Sequence, residues 1–153
     1  MNKLMGKFYE SKGFDCDWSV SDKRKDVLLS YKNISKTIEL KYRFKEYSDI
    51  LVELIQDIST NNSGWFYECD ADQLHYVICI EEKPEFFYKI KYKKFKIWIP
   101  EYLKKRYSGE YKISTRGYGT TLNIPIPIKS IPEKFLEKIH IPKESHESSL
   151  SEV

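Results

Sequence analysis

The sequence predicts one α/β domain, and three observations carry the prediction. The chain has 153 residues, the length of a single core. Its first dozen residues space their apolar side chains as a helix and then meet a glycine. From there, short β-branched or alternating runs follow one another between turn residues. A composition of 41% hydrophobic and 32% charged residues excludes a wholly disordered chain, and no apolar run is long enough to span a membrane. The formal charge of +3 is too small to identify a partner. The 22 lysines against four arginines, among many Ile and Tyr, are what an A+T-rich gene encodes, so lysine placement counts and lysine number does not. Cys16, Cys69 and Cys79 have no metal-like spacing, and the chain opens without an apolar leader, which predicts a reducing, cytoplasmic setting.

Taken in order, Leu4, Met5, Phe8 and Tyr9 share one face of a helix over residues 2–12, which Gly13 stops. Residues 15–20 read as a short strand and 21–25 as a charged turn. Strands over 26–31 and 36–42 are joined by a turn at 32–35. Residues 49–55 read as a strand by their β-branched content, with a buried helix as the alternative. After a polar loop at 59–64, Asp70 is placed to cap a short helix over 71–76 that runs into a strand at 76–80. The lysine alternation within 86–99 predicts a strand with one solvated face, and Pro100 opens a short helix to residue 107. Pro125 and Pro127 allow residues 122–128 at most an edge strand, residues 131–139 read as a last helix, and 143–153 as a disordered tail. The domain is therefore expected over 1–142.

The chemistry is concentrated in Asp26 and, thirteen residues later, Glu39-Leu40-Lys41. On a strand Glu39 and Lys41 point to one face while Ile38, Leu40 and Tyr42 point to the other, where they can join a core. Antiparallel pairing through the 32–35 turn brings Asp26 toward the same place. Two converging carboxylates repel, and a divalent cation such as Mg²⁺, which favours one or two carboxylates plus water and phosphate oxygens, relieves that repulsion. Lys41 then stands where charge develops on an attacked phosphate. By itself a Glu-x-Lys on a half-exposed strand is also an ordinary solvated pair.

The succession of helix, Gly13, strand, Asp-initiated strand and E-x-K strand resembles the core of the PD-(D/E)xK nuclease superfamily. Asp26 matches its metal-binding aspartate, Glu39 and Lys41 its E-x-K pair, and Glu10 the position of an additional helix carboxylate. The later Ile50 to Leu54 run, Gly64-Trp65 and Ala71-Asp72 look like a subgroup of phage and restriction-type members. The resemblance implies a restriction endonuclease-like αβββαβ core with a central mixed sheet flanked by helices. It also implies a Mg²⁺-dependent endonuclease, able to use Mn²⁺, that cuts DNA, in many such enzymes as a homodimer. Where the motif has proline this chain has Lys25, which leaves Asp22 as a competitor for Asp26. The alternative reading is a protein of the same fold with a degenerate site that binds DNA or a host protein.

Other residues divide between two readings. Glu53 supplies a further metal or water contact, or faces solvent from an edge strand. Asp72 caps the 71–76 helix or holds the Gly64-Trp65 turn, and His75 reads as a structural hydrogen-bonder. Lys89, Lys91, Lys93 and Lys94 either track a phosphate backbone or protect an edge strand, and Tyr88, Tyr92, Phe95 and Trp98 lie among them. Arg116 flanks a Gly117/Gly119 loop whose amides can approach a phosphate, although the P-loop spacing is missing. No nucleophile triad, dinucleotide fingerprint or zinc-ligand cluster is visible.

Overall fold

The computed structural model describes residues 1–22, 24–106, 112–116 and 119–143, with side chains described except at 106, 112–116 and 119–120. The expected tail lies beyond them except for residue 143. The elements begin with α1 (Asn2–Ser11), β1 (Asp15–Asp17), a 3-10 turn (Trp18–Val20), β2 (Val27–Tyr31) and β3 (Ile34–Arg43). They continue with β4 (Asp49–Asp57), β5 (Asn62–Ser63), α2 (Trp65–Glu68), β6 (Gln73–Ile80), β7 (Lys83–Lys91) and α3 (Tyr92–Arg106). The last are β8 (Lys112–Arg116), β9 (Gly119–Pro127), 3-10 turns at Ile128–Ser130 and Glu133–Phe135, and β10 (Leu136–His140).

The fold is mixed α/β, rich in strands and with few helices. A six-stranded sheet runs in the order β1-β2-β3-β6-β7-β10, and a four-stranded sheet in the order β5-β4-β9-β8. All pairings are antiparallel except β3 with β6. Among the described residues no helix is long and apolar enough to cross a membrane.

Strand alternation divides the core in two. On one face of the larger sheet, Ile38, Leu40, Val77 and Phe87 meet Met5, Phe8 and Tyr9 of α1. On the other, Leu74, Tyr76, Ile78 and Ile90 meet α2, α3 and the inner side of the smaller sheet through Phe66, Phe95, Ile50, Val52 and Ile126. The turn out of β3 into the second sheet is held by Arg43, whose Nη1 donates to the Asp49 carboxylate at 2.7 Å and to the Tyr76 hydroxyl at 3.3 Å. The same hydroxyl accepts the Leu51 amide at 3.2 Å. Gly13 ends α1 at φ +91°, a conformation that glycine adopts without a Cβ penalty.

Several expected elements are corrected. The β2–β3 turn holds only Lys32 and Asn33, because Tyr31 pairs with Ile34. Residues 71–76 are not a capped helix: the helix lies upstream as α2, and β6 starts at Gln73 and is buried on both faces, so its near-continuous apolar run carried no helical meaning. The strand expected through Ile99 stops at Lys91, and Tyr92, Phe95, Ile99 and Tyr102 take up helical spacing instead. Pro100 therefore sits inside α3 rather than in its first turn. The last helix is instead a 3-10 turn and β10, paired with β7 from Leu136↔Ile90 to His140↔Phe86. β9 is flanked on both sides only at Leu122 and Asn123, so Pro125 and Pro127 fall where β8 no longer pairs and an amide is not needed.

Candidate functional site

Glu39 is the anomaly of the described core. The residue is only 5% exposed, one oxygen takes the Lys41 ammonium at 3.0 Å, and the other, Oε2, is buried without a hydrogen-bond partner. Alternation explains how it came there. With Ile38 and Leu40 packed against α1, Glu39 and Lys41 must project from the opposite face, toward α2 and α3.

Asp26 reaches the same point from the end of β2. The register that pairs Val27 with Ile38 brings Asp26, the residue before β2, alongside β3, where its amide donates to the Ile38 carbonyl at 2.8 Å. Its carboxylate accepts the Leu40 amide at 2.7 Å, standing in for a strand that has not yet begun. The competitor Asp22 is taken up by its own turn, accepting the Arg24 amide at 2.6 Å.

Burial pushes the Glu39 carboxyl up to about 7; Lys41 opposes that rise and the charge of the neighbouring Asp26 adds to it. The cause is physical: a carboxylate removed from water, beside another carboxylate, holds its proton more tightly. Behind it lies Cys69, whose thiol burial pushes up to about 12. Lys96 closes that side, donating to the carbonyls of Tyr67 at 2.9 Å and Cys69 at 3.1 Å.

Glu10 stands apart from the pair, on α1 across the sheet, and Glu53 is engaged at the start of α2. Among the described residues no three His, Cys, Asp or Glu side chains gather as a metal group. Glu53 accepts the Trp65 amide at 3.3 Å, satisfying the start of α2, and Gly64 lies so close that a Cβ there would be 2.4 Å from the Glu53 carbonyl oxygen. Glu10 is exposed on α1, in a groove with Trp18. Trp65 is the neighbour that motif reading missed: its ring centroid lies 5.6 Å from the Lys41 ammonium. The Gly-Trp pair signalled a turn in the sequence, and nothing there indicated that the indole would lie against this lysine.

The lysines do not form one track. Tyr88 and Ile90 point toward α3, so Lys89 and Lys91 point to the α1 face, away from Glu39. Lys89 pairs with Glu137 at 3.2 Å. Lys93 and Lys94 belong to α3, which removes Lys93 from the expected strand face, and Lys93 meets Asp72 at 3.4 Å. Asp72 neither caps a helix nor holds the Gly64-Trp65 turn; it accepts the Thr37 amide and hydroxyl, at 3.0 and 3.1 Å. Lys93 keeps its place beside the candidate site through that contact. The side chain of Arg116 lies outside the described residues. His75 is buried on the α1 face, where Nδ1 meets the Tyr9 hydroxyl at 2.6 Å and Nε2 meets Gln73 Oε1 at 2.9 Å.

The donor set suits a hard cation. Two carboxylates meet at one point, one with a buried oxygen that nothing else satisfies, and Mg²⁺ is commonly held by such a pair together with water and phosphate oxygens. No protein-family model, curated protein or solved structure matches the chain.

Proposed function

We propose that this chain is a metal-dependent endonuclease with a restriction endonuclease-like core, hydrolysing phosphodiester bonds of DNA at Asp26, Glu39 and Lys41. The single observation that carries the reading is the buried, unpartnered Oε2 of Glu39, with Asp26 beside it and Lys41 on the other oxygen. A carboxylate so placed costs stability, which a cation in its working state would offset. Supporting it is the succession of α1, an aspartate opening β2, Glu39 and Lys41 on β3, and β6 parallel to β3.

Asp26 and Glu39 would hold Mg²⁺ or Mn²⁺, which when bound supplies Lewis-acid polarisation of a phosphoryl oxygen and a more acidic water. The side chains do the positioning. Asp26 is oriented by the Leu40 amide, and Glu39 is held by Lys41 until a phosphate takes the ammonium. The Lys41 ammonium, 31% exposed at its side chain, can turn from Glu39 to a phosphate and stabilise the charge that develops as water attacks and the ester oxygen leaves.

The test is cleavage of plasmid, single-stranded and branched DNA with Mg²⁺ or Mn²⁺. Asp26→Asn and Lys41→Met should each lower the rate by about 10²-fold or more with the fold retained. Cleavage that survives in both purified variants overturns the assignment.

A second reading, binding of DNA or a host protein without hydrolysis, is favoured by the direct Lys41–Glu39 ion pair and by the absence of a three-ligand acidic group among the described residues. It predicts salt-sensitive DNA binding, or a protein complex, with no cleavage of any substrate. A homodimer would supply the second cut of a duplex, and sedimentation of the chain with and without DNA tests it.

A further inference from the structure

We infer that the groove between α3 and the Ile128–Ser130 turn seats an unpaired nucleotide of a nucleic-acid strand. The groove encloses about 630 Å³, lined by Trp98, Glu101, Tyr102, Lys105, Lys129 and Ser130. That volume falls within the range of small-ligand sites. The inference goes beyond hydrolysis at Asp26 and Glu39 and stands without it.

Its wall is an aromatic ladder set by helical spacing. Residues 95, 98 and 102 of α3 follow one another by three and four positions, so their rings form one stripe. Phe95 and Trp98 stack at 6.1 Å and 24°, and Trp98 and Tyr102 at 4.8 Å and 23°. Phe95 is fully buried and anchors the ladder, whereas Trp98 and Tyr102 are half-buried. The Tyr102 hydroxyl reaches Ser130 Oγ at 3.5 Å, tying the outer ring to the opposite wall. Flat rings held in this way present a stacking surface that loses little conformational freedom on binding.

The charges fit a phosphate beside that surface. Lys105 follows Tyr102 by one helical turn and Lys129 approaches from the turn across the groove. Both are exposed, and neither has an ion-pair partner among the described residues. Glu101 offers an acceptor for a base N–H, such as the ring imide of thymine. An apolar peptide would bury two ammonium groups without partners, and a duplex hides the base faces that the rings would take. A strand is favoured over a free nucleotide because Lys94, one turn before Trp98 on the same face of α3, is also exposed and extends the positive charge past one phosphate. Along the helix, Tyr102 lies six residues beyond Lys96, or roughly 9 Å.

The experiment is fluorescence anisotropy of a labelled twelve-residue thymidylate strand in EDTA, so that cleavage at the carboxylate pair plays no part. The strand should bind about tenfold or more tightly than a duplex of equal length, and a free thymidine monophosphate should compete poorly. The double variant Lys105→Ala/Lys129→Ala should lose roughly tenfold in affinity, and the slope of log affinity against log salt should fall by about 1.4. Trp98→Phe keeps a stacking ring, so binding should hold within about threefold while tryptophan quenching on saturation diminishes. Unchanged affinity in the lysine variant with an unaltered melting temperature overturns the inference. So does equal binding of the duplex, or saturation by the mononucleotide with the affinity of the strand.

Discussion

The Asp26 carboxylate accepts the Leu40 amide at 2.7 Å, so a side chain completes the hydrogen bonding of β3 where β2 has not yet started. The same group faces Glu39, which makes it both a structural acceptor and a candidate ligand. Asp26→Ala therefore strands a half-buried amide and should cost on the order of 1.5–3 kcal/mol. Asp26→Asn keeps an acceptor and should stay within about 1 kcal/mol of the parent. Urea unfolding separates the two, and an alanine variant as stable as the parent would show that the amide needs no partner. For the same reason asparagine, not alanine, is the substitution that isolates chemistry from folding.

Glu39 makes stability fall as pH rises. Its carboxyl titrates at about 7 in the fold against an ordinary 4.5, so between those values the native state holds a proton that the unfolded chain has released. Stability from this group is complete below about pH 4.5 and is lost as pH rises through about 7, a change on the order of 3–4 kcal/mol. Glu39→Gln should flatten that limb of the pH–stability curve. If the pair holds Mg²⁺, the ion at ten times its dissociation constant should restore about 1.4 kcal/mol at pH 8 in the parent, and little in Glu39→Gln. His75 acts with the opposite sign below about pH 6.5, so the comparison is with the variant: a Glu39→Gln curve that parallels the parent's from pH 5 to 8 would remove the buried carboxylate from the account.

Gly64→Ala should destabilise the chain by about 2 kcal/mol or more, since its Cβ would lie 2.4 Å from the Glu53 carbonyl oxygen and 2.7 Å from the carbonyl carbon. The backbone at Gly64 has φ −79°, so the cause is crowding, not a left-handed conformation. Relief of the clash moves Trp65 and with it the ring beside Lys41. Thermal melts measure the cost, and an alanine variant with unchanged melting would mean that β4 and α2 part freely.

Tyr9→Phe should cost about 1–3 kcal/mol by leaving His75 Nδ1 buried without its 2.6 Å partner. Burial, with a smaller contribution from Lys89, lowers the His75 pKa to about 3 from an ordinary 6.5. The unfolded chain thus binds the proton first, and this contribution is lost as pH falls from about 6.5 toward 3, opposite in sign to Glu39. His75 lies on the α1 face, so DNA cleavage per folded molecule should be unaltered in Tyr9→Phe. A fall in that specific rate would place His75 in the chemistry after all.

Local periodicity made α1, the Gly13 stop, the β2–β3 hairpin and the shared face of Glu39 and Lys41 legible in the chain, because each depends on neighbours within a few residues. It misread β6, where burial on both faces removes alternation, and the β7–α3 boundary, where an alternating stretch runs into helical spacing without a break residue. It misread β10, whose strand form depends on pairing with β7 some fifty residues earlier. At the site, the sequence by itself determined that Asp26 could meet the Glu39–Lys41 pair, since one hairpin joins them. Only the tertiary structure decided that Glu39 is buried with an unsatisfied oxygen, that Trp65 lies against Lys41, that Glu53 serves the start of α2, that Glu10 lies across the sheet on α1, and that Lys89 and Lys91 point away. The reason is physical: a strand's alternation says which side chains share a face, whereas burial and charge depend on what the rest of the chain packs against that face.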